Sequence, residues 1–250
     1  MGTVIVMGNQ KGGVAKTTSA AAMGGALTLK GYRVLFVDCD PQADLTYSLG
    51  ASQKGTTLLD VLKNKVPAGA AIQHTENGDI IAACADMASA DKWLTDPKAL
   101  RTALKPLGKK YDYIVVDTPR ALAMLAIVAF AAADDVIITA TADVFTINAI
   151  LQLSETLSVI RQDVSPTLRV AGILMCRQDT RTNISRDVEE IIREKARSLH
   201  TKVFDTTIRQ SKHVREAALL QQGLFNYAPT CNPASDYLDF TTEYLADKKR

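Results

Sequence analysis

The segment Gly8-Asn9-Gln10-Lys11-Gly12-Gly13-Val14-Ala15-Lys16-Thr17-Thr18 carries two lysines, two hydroxyls and a glycine pair, and it directly follows the apolar run 3–7. A buried strand that runs into a glycine-containing loop, and from there into a helix, gathers backbone N–H groups and a helix N-terminus around one point. That arrangement suits a polyphosphate. Lys16 is placed to reach the β- and γ-phosphates, and Thr17 to offer its hydroxyl to Mg²⁺. The candidate phosphate loop is therefore Lys11, Gly12, Gly13, Val14, Ala15, Lys16, Thr17 and Thr18. The stricter spacing Gly-x-x-x-x-Gly-Lys-Ser/Thr is not met, because Gln10 and Ala15 stand where its two glycines belong. A second lysine, Lys11, precedes the glycine pair instead.

Three carboxylates fall at or just past the ends of apolar runs. Val34-Leu35-Phe36-Val37-Asp38-Cys39-Asp40-Pro41-Gln42 closes one run with two acids, and Tyr113-Ile114-Val115-Val116-Asp117-Thr118-Pro119 closes another with one. An apolar strand followed by Asp is how a phosphate-transferring fold holds Mg²⁺, usually through a bound water, which makes Asp117 the Walker B candidate. The prolines after both strands impose extended or turn geometry, so the chain can leave the sheet and cross the site. Asp40 is expected in a switch loop, orienting the attacking water, with Asp38 supporting the same network. The candidate catalytic set is Lys11, Lys16, Asp40 and Asp38, and the candidate metal set is Thr17, Asp40 and Asp117.

Lys11 looks redundant within one subunit, since Lys16 already supplies a cation. It ceases to be so if it points outward and meets the nucleotide of a facing subunit. A cation about 4 Å from a phosphate charge gains roughly 4 kcal/mol at an effective dielectric of about 20, before desolvation is subtracted. ATP then acts as the glue of a two-fold sandwich, and hydrolysis loosens it.

The elements that must position these groups alternate along nearly the whole chain. Strands are expected over 3–7, 34–38, 79–83, 113–117, 135–139, 168–176 and 202–204. Helices are expected over 16–30, 58–62, 97–107, 122–132, 144–160, 184–199, 214–222 and 233–247. The alternation predicts an α/β fold, a doubly wound, mostly parallel sheet with helices on both faces, and the phosphate loop after its first strand makes the expected type a P-loop NTPase. Several strands are continuous Val/Ile runs, as expected where both faces are covered. Ligands of such sheets gather beyond the carboxyl ends of the strands. Residues 46–95 are the least legible part.

Composition agrees with one soluble domain spanning 1–250. The chain is 47% hydrophobic and 22% charged, with a formal charge of only +2 that does not by itself announce nucleic acid. Cys39, Cys84, Cys176 and Cys231 lie far apart with no metal-ligand spacing, which reads as reduced and cytoplasmic. No basic segment followed by an apolar one opens the chain, so no signal peptide is expected. The longest apolar run, 121–133, is too short to span a bilayer. His74, His200 and His213 show neither triad nor metal spacing.

On these motifs the chain resembles a ParA/Soj-type member of the deviant Walker A family, which also includes MinD and the nitrogenase iron protein. Lys11-Gly12-Gly13-Val14-Ala15-Lys16-Thr17-Thr18 resembles that family's phosphate loop, Asp38-Cys39-Asp40-Pro41-Gln42 the Asp-x-Asp-Pro-Gln of ParA proteins, and Asp117-Thr118-Pro119 their Walker B segment. Arg181-Thr182-Asn183-Ile184-Ser185-Arg186-Asp187-Val188 is similar to another ParA stretch, as more weakly is 208–217. The resemblance covers essentially the whole chain. It implies an ATP- and Mg²⁺-dependent homodimer that binds double-stranded DNA non-specifically, hydrolyses ATP when stimulated by a ParB-like adaptor, and partitions plasmid or chromosome, nucleoid-associated in the cytoplasm. Three departures stand out: Ala15 in place of the usual glycine, Arg120 where the family often has a second proline, and Arg209-Gln210 in place of a common Pro-Arg pair. No helix-turn-helix precedes the first strand, so operator binding is not expected.

Between Arg177 and Arg215 ten basic residues face six acids, so this stretch holds +4 while the whole chain holds +2. A local excess without aromatic interleaving suits phosphate-backbone contact rather than base stacking. The candidate DNA contacts are Arg177, Arg181, Arg186, Arg209, Lys212 and Arg215. The competing reading is a solvated helix face with pairs such as Glu189–Arg193. Two rivals use the same ATPase machinery: a positioner of protein cargo on the nucleoid, and a MinD-like membrane-associated switch. The latter wants a terminal amphipathic helix with bulky apolar residues, and Tyr244-Leu245-Ala246-Asp247-Lys248-Lys249-Arg250 lacks them, so no membrane partner is expected.

Overall fold

Seven strands hydrogen-bond into one sheet in the computed structural model, which describes residues 2–178 and 183–248. In chain order they are β1 (Thr3–Gly8), β2 (Val34–Asp38), β3 (Ile72–Thr75), β4 (Gly78–Ile81), β5 (Tyr113–Asp117), β6 (Asp135–Ala140) and β7 (Arg169–Met175). The spatial order is β3-β4-β2-β5-β1-β6-β7, parallel throughout except for the β3–β4 hairpin at one edge. The helices are α1 (Lys16–Leu29), α2 (Asp44–Ser48), α3 (Leu58–Leu62), α4 (Ala99–Leu104), α5 (Met124–Ala132), α6 (Val144–Asp163), α7 (Asn183–Ser198), α8 (Lys212–Leu219), α9 (Leu224–Tyr227) and α10 (Asn232–Lys248).

Strand side chains alternate between faces, and here each face meets its own core. Val4 and Val6 of β1 pack with residues of α3, α4, α5 and α6, while Ile5 and Met7 pack with α1 and α10. Covering on both sides explains why β2 and β5 are buried along their whole length, and why they are apolar until the terminal Asp. Helix α10 closes the second core with Tyr237, Phe240 and Tyr244, all fully buried.

The topology decides where the functional segments meet. From β1 the chain first builds outward through β2 and β4, inserts β5 beside β1, then crosses to β1's other side with β6. The crevice of a doubly wound sheet opens at such a reversal, beyond the strands' carboxyl ends. Met7 pairs in register with Asp117, and Asp117 with Asp38. The loop after β1 and both strand-end acids are therefore neighbours by strand register.

The expected sheet forms, with local differences. Residues 202–204 do not make an eighth strand; Val203 forms a single parallel bridge to Ile173, and the chain pairs again only at Ile208, whose N–H donates to the Met175 carbonyl. The helix expected over 97–107 divides at Pro106, whose missing N–H ends α4 and leaves a 3₁₀ segment, Lys105–Lys109. The hairpin strand β3 (Ile-Gln-His-Thr), the short helices α2 and α9, and the 3₁₀ segments Ala68–Ala71 and Ala85–Lys92 were not anticipated. Each is too short to display a period.

Candidate active site

Between β1 and α1 the loop is shaped by its own polar groups. Buried Asn9 donates Nδ2–H to the Thr139 carbonyl at 2.7 Å and accepts the Lys11 amide on Oδ1 at 2.8 Å, so the loop's entry is tied to β6. Gly13 and Ala15 both sit in the left-handed region, at φ 74° and 66°. Alternating hand turns successive amides toward one concavity. At Gly13 the conformation is free; at Ala15, the residue capping α1, it costs about 1–2 kcal/mol. Ala15→Gly is expected to raise stability by about 1 kcal/mol, and the thermal midpoint by about 2–4 °C for a chain of this size. A lowered midpoint in a thermal melt would show that no strain resides there.

Lys16 opens α1 with its side chain sunk in the site, only 7% exposed, its ammonium donating to the Lys11 carbonyl at 3.4 Å. Desolvation pulls its pKa below the ordinary lysine value, against the attraction of Asp117 and Asp40, while Arg120 pulls it down further. Beside it the Thr17 hydroxyl donates to Asp117 Oδ2 at 2.6 Å. Asp117 is wholly buried, and burial together with the neighbouring Asp38 charge pushes its carboxyl well up.

The two other acids divide the labour. Asp38 is fully buried and committed: Oδ1 accepts the Asp40 amide at 3.0 Å, and Oδ2 accepts both the amide and hydroxyl of Thr46, at 2.9 and 2.8 Å. Burial nevertheless pushes its pKa up to about 6. It pins the start of the switch loop to α2, and is a positioning residue rather than one that faces substrate. Asp40 is half-exposed, its Oδ1 accepting the Gln42 amide at 3.0 Å. Among the described residues no three His, Cys, Asp or Glu side chains converge into a metal cage, so the expected metal set rests on Thr17, Asp117 and Asp40 alone, with Asp40 close enough for its charge to be felt at Asp117 and Lys16. Its centre is a threonine hydroxyl against a buried carboxylate of raised pKa. That donor set fits a hard divalent cation which keeps most of its ligands as water and phosphate oxygen.

Lys11, expected to point outward, is part-exposed and carries an ion pair within its own chain. Its ammonium forms an ion pair with Asp143 and lies 3.5 Å from the Thr146 hydroxyl. Asp143 is the N-cap of α6, accepting the Thr146 amide at 3.2 Å and the hydroxyls of Thr141 and Thr146 at 2.6 and 3.0 Å. Partial burial would raise the Asp143 pKa, but the hydrogen bonds from Lys11, Thr141 and Thr146 outweigh it and hold the carboxyl low. The half-buried carboxylate at this helix end gains a cation beside its hydroxyl and amide donors, which favours its charged form. Asp143 escaped sequence reasoning because its partner is 132 positions away; its one signal was an Asp directly before an apolar-periodic run.

On the far side of the loop lies a cavity of about 240 Å³ lined by Gly13, Thr18, Ile208, Gln210, Val214 and Tyr237, among others. Arg177, expected at DNA, lies here instead, donating from Nη1 to the Gly13 carbonyl at 2.9 Å. Arg209, likewise expected at DNA, is committed to Asp236 through several hydrogen bonds, the shortest 2.5 Å, with Asp236 largely buried. Both arginines are exposed: Arg177 bonds a carbonyl that solvent also reaches, while Arg209 is the firmer pair because Asp236 is largely buried. Lys212 and Arg215 remain exposed on α8, Lys212 loosely paired with Glu216 at 3.5 Å. Arg181 and the side chain of Arg186 lie outside the described residues. The Glu189–Arg193 pair on α7 forms at 2.8 Å.

A strand–loop–helix with left-handed turns, a buried lysine at the helix start and a strand-end aspartate against the following threonine define a P-loop NTPase of deviant Walker A type. Residues 2–170 match the AAA domain family. The chain is 32% identical over 255 residues to the sporulation initiation inhibitor protein Soj of Bacillus subtilis, covering 99% of this chain and 100% of that one. It is also 32% identical over 256 residues to the chromosome partitioning protein ParA of Caulobacter vibrioides, covering 98% and 95%. Among solved structures, cobyrinic acid a,c-diamide synthase from Mycobacterium smegmatis with bound ADP and magnesium superposes with a TM-score of 0.86 at 32% identity, over 100% of this chain and 96% of that one. The chain belongs to the ParA/Soj-type family of partition ATPases. Among the described residues no helix is long and apolar enough to cross a membrane.

Proposed function

We propose that residues 1–250 act as one ATPase domain, a nucleotide-dependent switch that dimerises on ATP, binds double-stranded DNA without sequence preference, and partitions DNA with a ParB-like adaptor. The observation that carries this reading is the second lysine of the phosphate loop. Lys16 already supplies the cation for its own subunit's phosphates, and Lys11 sits half-exposed on Asp143; a lysine so placed is suited to exchange that carboxylate for the phosphate of a facing subunit. Lys16, the amides of Gly12 to Thr18 and the Thr17 hydroxyl hold the triphosphate, and the cavity beside Gly13 takes the base. Thr17 and Asp117 would hold Mg²⁺, whose chemistry when bound is neutralisation of phosphate charge. Asp40 orients water for attack on that phosphate, on the loop that Asp38 pins.

Nucleotide state reaches DNA through the dimer. Two subunits double the basic surface around Lys212 and Arg215, and affinity for a polyanion rises steeply with the number of phosphates contacted. Helix α10 turns its aromatic residues into the core, which leaves no apolar face there for a lipid surface and disfavours the membrane-associated reading.

The deciding experiment is a gel shift on arbitrary duplex DNA with ATP, ADP or no nucleotide. Retardation is expected with ATP alone, independent of base sequence. For about four phosphates contacted, affinity should fall roughly a hundredfold between 50 and 200 mM salt. Equal binding in all three states would reject the switch, and a strong sequence preference would reject the non-specific mode.

A further inference from the structure

Arg120 follows Pro119 on the loop that leaves β5. Its side chain lies across the phosphate loop: a Cβ built on Gly12 would stand 2.7 Å from Arg120 Cδ and 2.9 Å from Nη1. Only a residue without a side chain at position 12 lets the arginine rest there. Arg120 is exposed, and among the described residues no carboxylate or carbonyl oxygen takes its guanidinium. Its charge is felt at Lys16, whose ammonium it disfavours. Other arginines near the site are committed, Arg177 to the Gly13 carbonyl and Arg209 to Asp236. Two cations thus lie at one loop close enough to repel, one buried and one exposed with no carboxylate partner among the described residues, and their complement is a polyanion.

The position along the loop selects which part of that anion. Arg177 meets the loop on the side of the 240 Å³ cavity, next to Gly13 and Thr18. Arg120 lies on the opposite side, where it shares the wall of a second cavity of about 300 Å³ with Asp40 and Pro41. That is the side of the switch loop and of the attacking water. We propose that Arg120 binds the terminal phosphate of a nucleoside triphosphate held in its own subunit, making the loop selective for triphosphate over diphosphate. A guanidinium presents a planar fork that matches two phosphate oxygens, and it keeps its charge at any working pH. During hydrolysis the same contact meets the charge gathering on the equatorial oxygens, while water adds to phosphorus and the bond to the diphosphate breaks. The inference rests on the nucleotide reading of the loop given above.

The test is the binding of fluorescent ATP and ADP analogues, with steady-state hydrolysis, to the full chain and to Arg120→Ala, Arg120→Lys and Lys16→Ala. Arg120→Ala is expected to weaken ATP at least tenfold and ADP less than threefold, with an unchanged thermal midpoint because the side chain is exposed. Arg120→Lys should recover part of the ATP affinity, and millimolar guanidinium should restore part of the turnover of Arg120→Ala but none to Lys16→Ala. Equal losses for ATP and ADP, or no loss, overturn the role of Arg120 while Lys16→Ala still abolishes binding. If Lys16→Ala binds ATP normally, the nucleotide assignment of the loop itself falls, and this inference with it.

Discussion

Alanine at Lys16 is expected to abolish useful ATP binding, with a loss of about 3–5 kcal/mol, or a hundred- to several-thousand-fold in affinity. The size follows from burial. The ammonium is almost wholly withdrawn from water, and desolvation has already pulled its pKa down, so a phosphate arriving there is attracted with little screening. Removing the amine also leaves Asp117 and Asp40 facing the incoming anion without their nearest cation, and the like charges repel. The fold should survive, since among the described residues the ammonium's hydrogen bond is a long one to the Lys11 carbonyl. Equilibrium titration with a fluorescent ATP analogue, alongside a thermal melt, separates the two effects. Undiminished affinity would remove the loop from nucleotide binding.

Alanine at Asp40 should do the reverse, keeping ATP bound while hydrolysis falls about 10²–10⁴-fold, the contribution typical of a positioned general base. Asp40 makes little structural use of its carboxylate: one oxygen accepts the Gln42 amide, in an exposed turn where water can replace it. The chain's path here is set by Asp38, which holds the Asp40 amide and both donors of Thr46. Losing a group that acts only in the transition state lowers kcat without raising KM. Because bound ATP is then not consumed, the ATP-dependent dimer proposed above should accumulate, readable as a doubled mass in light scattering. Hydrolysis at the original rate would take Asp40 out of the chemistry. Alanine at Asp38 is a different experiment, since it orphans three donors and threatens the fold.

Much of this site was legible in the linear order of residues. The phosphate loop, the strand-end acids and the parallel sheet all rest on signals within ten residues of one another: apolar runs of strand length, a glycine pair, lysine before threonine. Those signals persist because backbone geometry is local; a strand, a turn and a helix start are each dictated by neighbouring side chains. The left-handed Ala15 was likewise visible as an alanine where glycine is usual, and the structure places it at φ 66°. The segment 46–95 was opaque because its elements are four or five residues long or 3₁₀, and are held by tertiary contacts instead of by amphipathic periods. The hairpin β3–β4 is set by pairing with β2.

What a chain order cannot state is which distant groups neutralise one another. Asp143 captures Lys11 across 132 positions, Asp236 captures Arg209, and the Gly13 carbonyl takes Arg177. A tally of basic residues between Arg177 and Arg215 treats all of them as available, whereas folding pairs several with acceptors brought near only in three dimensions, among them the largely buried Asp236. The placement of Arg120 over Gly12 is of the same kind: it arises because β5 lies beside β1 in the sheet, bringing the two following loops together. The sequence alone determined that a triphosphate-binding loop stands beyond a parallel sheet with acids at its strand ends. Only the tertiary structure decided which charges remain free to meet a ligand, because the cost of an unpaired buried charge is settled by three-dimensional neighbours and not by those in sequence.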